Sequence, residues 1–119
     1  MKTILLANTL FIVREALTTL LRLRLDNSEI LCASNWGELL EEATNRRPDV
    51  ILLDWELPGC EPQQGLRRLQ SEFPDCEVII LGAQREPEMS EAVFISRFDS
   101  PEILVGEVQR LFLKRNLSN

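Results

Sequence analysis

The sequence predicts an α/β domain whose parallel sheet is covered by helices on both faces. Three observations carry this reading. Five short apolar runs are separated by segments whose apolar residues recur every three or four positions. The runs are apolar throughout rather than alternating, as suits strands buried on both sides. The 119 residues fit one domain, 1–119, and a chain of that length buries roughly 65% of the surface it exposes when unfolded.

Ile4–Leu6 is the first strand. Val13, Ala16, Leu17, Leu20 and Leu21 then share one helix face, which ends near Asp26 and Asn27. Ile30–Ala33 is the second strand. Asn35 caps the next helix, with Glu38 three residues on as in a capping box. Trp36, Leu39, Leu40 and Ala43 line its inner face, and Arg46-Arg47-Pro48 closes it with cations at the negative end of the helix dipole. Val50–Leu53 is the most strand-like run and stops at Asp54. Leu57-Pro58-Gly59 is a turn. Pro62 suits the first turn of a third helix with Leu66, Leu69 and Phe73 inward. Val78–Leu81 is a strand halted by Gly82, and Val93–Ile95 is a fifth, shorter one. Ser100-Pro101 opens the last helix, which carries Leu104, Val108, Leu111 and Phe112 on one face.

The connection between the last two strands is short. Residues 83–92 must supply a loop, a helix and a return, whereas an average helix alone takes about 11 residues. At most two turns, from Pro87, are expected there.

Composition narrows the function. With 13 Lys and Arg against 19 Asp and Glu, the net charge of −6 argues against direct binding to nucleic acid or an anionic membrane. The sequence has no His and no Tyr, which excludes Ser-His-Asp and Cys-His catalysis, imidazole zinc sites and phenolic acid–base chemistry. No nucleophile–base pairing is visible, so no enzyme is predicted. Cys32, Cys60 and Cys76 lack CxxC spacing and read as reduced thiols packed like small apolar side chains. No run approaches the ~18 apolar residues of a membrane span, and the first residues lack signal-peptide architecture. A soluble, cytoplasmic protein is expected. No glycine pattern supports nucleotide binding.

In open α/β sheets, chemistry gathers outside the carboxyl ends of the strands. Those positions are Ala7–Phe11, Asp54–Pro58, Gly82–Arg85 and Ser96–Phe98. They are also where the chain resembles a response-regulator receiver domain of two-component signalling. Segment 4–17 (ILLANTLFIVREAL) is similar to the first strand and helix of the LuxR/NarL-like class. Segment 48–59 (PDVILLDWELPG) resembles the third strand with its phospho-acceptor Asp. Segments 73–81 (FPDCEVIIL) and 94–104 (FISRFDSPEIL) resemble the approaches to strand four and the last helix.

The resemblance implies a flavodoxin-like (CheY-like) doubly wound sheet of order 2-1-3-4-5, and the short connection counted above leaves its fourth helix shortened or missing. It implies a family activity of accepting a phosphoryl group from a histidine kinase, using an acidic pair that holds Mg²⁺, a Ser/Thr and a Lys. Asp54 matches the acceptor and Phe94 the aromatic switch position. The acidic pair, however, falls on Asn8 and Thr9, the Ser/Thr on Gly82 and the Lys on Arg97. Glu56 could lend a carboxylate if it turns inward. Mg²⁺ is a hard cation that needs carboxylate oxygens, and phosphoryl transfer depends on the charge neutralisation it supplies. Mg²⁺ binding is therefore expected to be weak or absent, with no other metal and no cofactor. Arg97 keeps the charge of the lysine with a differently aimed fork. It is expected to approach Asp54 directly or through water, to lower the carboxyl pKa and to hold the domain in one conformation. Leu10, Phe11 and Trp55 would form an apolar rim over the pocket.

These departures predict an atypical receiver that acts in signal transduction and transcription regulation through protein–protein contact, independently of phosphorylation. The expected partners are an output domain, a regulator subunit or a second copy of the chain. Residues 114–119 read as the start of a linker to an output domain. Two alternatives stand beside this: a working phospho-receiver using Asp54, and a small-ligand sensor using the emptied cleft.

Overall fold

The computed structural model describes residues 1–117. The strands are β1 (Lys2–Ala7), β2 (Ser28–Ala33), β3 (Val50–Asp54), β4 (Glu77–Gly82) and β5 (Val93–Ser96). The helices are α1 (Phe11–Arg24), α2 (Trp36–Arg46), α3 (Pro62–Glu72) and α4 (Pro101–Leu117). All strand pairs are parallel, in the order β2-β1-β3-β4-β5. β1 and β3 lie inside the sheet, and Ile4–Ala7 and Val50–Leu53 are all buried. Alternate residues of these strands feed two cores. One joins Leu5, Ile51 and Leu53 to α2 and α3; the other joins Ile4, Leu6 and Leu52 to α1 and α4.

Local chemistry fixes the helix starts. Asn35 Oδ1 accepts from the Glu38 amide at 2.8 Å. The Glu38 carboxylate reaches one residue further back than a capping box, to the Ser34 amide (2.7 Å) and hydroxyl (2.8 Å). Those two bonds hold its pKa below the ordinary carboxylate value. Glu61 caps α3 by accepting from the Gln63 and Gln64 amides, with Pro62 at the first helical position. Gly65 of α3 is required by packing: a Cβ there would stand 2.4 Å from Cη2 of the buried Trp36 indole. The Trp36 amide also donates to the Pro58 carbonyl at 2.9 Å, so this residue ties α2 to the turn after β3.

α1 departs from the expected pattern. It ends at Arg24, two residues before Asp26; Leu17 and Leu20 are half-buried against the core as expected, but Ala16 is exposed and Thr18 joins Leu21 as its buried residues. The helix is rolled so that the stripe 18-21-25, at helical spacing, meets the sheet. Leu10 occupies the N-cap with no side-chain cap.

Between β4 and β5, residues 83–92 hold only one 3₁₀ turn, Pro87–Met89. The fourth helix of the expected fold is missing, as the length of this connection implied. Met89 is fully buried and occupies core space beside Gly82 and Trp55.

Cys32 and Cys60 are exposed rather than packed inside; Cys76 is half-buried and its thiol donates to the Pro48 carbonyl. β2 is an edge strand, which leaves Cys32 without a cover. Residues 114–117, expected to begin a linker, continue α4, and 118–119 lie outside the described residues.

Candidate functional site

The carboxyl ends of β1, β3, β4 and β5 bring Asn8, Asp54, Gly82 and Arg97 to one edge of the sheet. Asp54 is the last residue of β3, beside Leu81 of β4, and is half-buried. Its Oδ1 accepts from the Glu56 amide at 3.1 Å, while its carbonyl accepts from the Leu57 amide at 3.0 Å. The tight turn that results sends the Glu56 side chain outward.

Arg97 arrives through backbone pairing: its amide donates to the Gly82 carbonyl at 2.8 Å and prolongs the β4–β5 ladder. Its guanidinium then pairs with Glu56, Nη2 to Oε2 3.0 Å, where the sequence reading has it approach Asp54 directly or through water; no direct Arg97–Asp54 pair forms. Glu56 is the more accessible carboxylate and gives up less hydration on pairing. Desolvation therefore dominates at Asp54 and raises its pKa; the Glu56 amide and the Arg97 charge oppose the rise, and the Glu56 charge adds to it. The direction is opposite to the lowered value expected for an Asp54–Arg97 pair.

Asn8 is buried and uses its side chain to hold the loop after β1. Its Oδ1 accepts from the Leu10 amide at 2.8 Å, and its carbonyl accepts from Arg14 Nη1 at 2.6 Å. No sequence motif marks Arg14, since its role runs through a backbone carbonyl. Thr9 is exposed. A Cβ on Gly82 would meet Trp55 Cβ at 3.6 Å and Met89 Cε at 3.7 Å, both ordinary contacts, so space does not demand glycine there. Phe94 is half-buried against the core that holds Met89. The apolar rim divides: Trp55 is 8% exposed and belongs to the core, while Leu10 and Phe11 are 55% and 68% exposed and face solvent. The sequence reading did not single out Met89, although it is the only large apolar residue between Gly82 and Val93.

A doubly wound five-stranded sheet with a half-buried carboxylate ending its central strand defines the class of receiver-type α/β domains. The chain belongs to the response regulator receiver domain family, whose model matches residues 4–100. It is similar to sporulation initiation phosphotransferase F of Bacillus subtilis, at 32% identity over 71% of this chain and 74% of that protein. It is 36% identical to transcriptional regulatory protein LnrK of the same organism over 59% of this chain, and the match spans 32% of LnrK. Among solved structures it resembles a CheY-like receiver domain protein from Methanospirillum hungatei JF-1. That match has a TM-score of 0.89 and 19% identity, covering 100% of this chain and 99% of the other. Among the described residues no helix is long and apolar enough to cross a membrane.

Proposed function

We propose that this receiver is an atypical one that works in signal transduction and transcription regulation by protein–protein contact, without phosphoryl transfer. One observation carries the reading: the side-chain oxygens that could join Asp54 around a cation at the carboxyl edge are already committed. Glu56 is turned to Arg97, and Asn8 Oδ1 is spent on the Leu10 amide. That leaves Asp54 as the one carboxylate for a hard cation that prefers several oxygen ligands, a donor set that does not fit Mg²⁺. Without a metal, the pocket lacks the charge neutralisation that phosphoryl transfer requires. Likeness to LnrK, named a transcriptional regulatory protein, supports an output in gene regulation and an output domain or regulator subunit as partner. A cytoplasmic location accords with this role.

The test is a titration with Mg²⁺ and beryllofluoride, read by Trp55 fluorescence and by amide NMR shifts. The expected result is no saturable change at low-millimolar Mg²⁺. A saturable response abolished by Asp54→Asn would overturn the reading and make the chain a working phospho-receiver.

A further inference from the structure

α1 carries a second apolar stripe that nothing among the described residues covers. Ile12 and Leu23 are 76% and 77% exposed, and Ala16 and Thr19 between them are exposed as well. Their spacings of four, three and four residues form a heptad seam, roughly 16 Å long at 1.5 Å per residue. This seam is separate from the inward stripe of Thr18, Leu21 and Leu25. A surface helix of a monomer ordinarily carries polar residues opposite its buried stripe.

We propose that the outer stripe of α1 is the contact of a two-fold homodimer in which two α1 helices pack antiparallel. The symmetry of the stripe selects a second copy as its occupant. A dyad between residues 17 and 18 sets Ile12 against Leu23 of the partner subunit, and Ala16 against Thr19 of the partner subunit. The large side chains then lie at the ends and the small ones at the centre, where the helices approach most closely.

The charges agree with the same register. Glu15 and Arg22 flank the seam on one side; both are exposed, and neither has an ion pair among the described residues. Antiparallel pairing brings Glu15 beside Arg22 of the partner subunit, and the symmetry repeats the contact. Parallel pairing would bring Glu15 beside Leu20 of the partner subunit and leave both charges unmatched. Arg24 does not compete, because it is bound in both carboxylate oxygens of Glu102 on α4. The interface does not depend on the chemistry at Asp54. Contact through a single helix pair falls below the ~1,200 Å² of standard interfaces, so the dimer is weak and concentration-dependent.

Sedimentation equilibrium of the 119-residue chain over rising concentration tests the proposal. A reversible monomer–dimer equilibrium is expected. Leu23→Glu should abolish it while circular dichroism and Tm stay unchanged. Glu15→Arg or Arg22→Glu alone should weaken dimerisation severalfold at low salt, and the double swap should restore it. A monomer at every concentration, a dimer that survives Leu23→Glu, or a double swap without rescue overturns the proposal.

Discussion

The Arg97 guanidinium is held by Glu56, with Nη2 3.0 Å from Oε2, and not by the carboxylate of Asp54 two residues earlier. An exposed pair of this kind contributes about 0–1 kcal/mol, so its effect is electrostatic tuning rather than a clamp. The carboxylate left without an ion pair at this edge is the half-buried Asp54, and four predictions follow from how these groups and their neighbours are placed.

Asp54→Asn should stabilise the domain at neutral pH. Burial raises the folded-state carboxyl pKa, so the ionised side chain opposes folding above that value. The opposition fades as pH falls through the raised folded pKa and is gone below the unfolded value of ~3.9. Asn keeps an oxygen for the Glu56 amide. Urea unfolding of both chains across this range should show a gap at pH 7 that closes on acidification; a constant gap would count against the assignment.

Removing either partner of the ion pair should move the Asp54 titration in opposite directions. Glu56→Gln removes a repelling charge and releases Arg97 toward Asp54, so the pKa falls. Arg97→Gln removes an attracting charge, so it rises. Carboxyl-carbon NMR of Asp54 reads both, and a shift of the same sign in the two variants would contradict the geometry.

Gly65→Ala should destabilise the domain by about 1–3 kcal/mol. Alanine gains up to ~1 kcal/mol of helix propensity, but its methyl group would collide with the Trp36 ring, and overpacking of this kind costs more. Combination with Trp36→Leu should give a loss smaller than the sum of the two single changes in denaturant melts.

Rebuilding the pocket should restore anion uptake. The Cβ of Gly82→Thr meets Trp55 and Met89 in ordinary contact, and Asn8→Asp retains an acceptor for the Leu10 amide. The triple variant with Arg97→Lys should bind beryllofluoride in a Mg²⁺-dependent way when the parent chain does not, with Trp55 fluorescence as the readout. An inert triple variant would place the defect elsewhere, in Thr9 or the Glu56 turn.

The strands were legible because fully apolar runs such as Val50–Leu53 have only one place to go in a sheet buried on both faces. The missing helix was legible as simple length between Gly82 and Val93. The roll of α1 was not: that helix is apolar on two sides, so spacing alone ranks Ala16 with Leu17 and Leu21, and only packing chooses Thr18. The partner of Arg97 was not legible either. Sequence places Asp54 and Glu56 in one turn, but the desolvation that separates them depends on the burial of each oxygen. Cys32 and Cys60 failed for a related reason, since an edge strand and a turn offer a small apolar group no cover.

The single turn between β4 and β5 also bears on how the domain opens. β5 is four residues long, lies at the sheet edge, and is anchored through its connection by one fully buried methionine. Its amides should exchange with solvent deuterium through local unfastening, at a free energy well below that of β1 and β3, whose protons leave only in global unfolding. Oxidation of Met89 to its sulfoxide during such an opening would put a polar group into a cluster of apolar side chains, and β5 would be slow to re-seat.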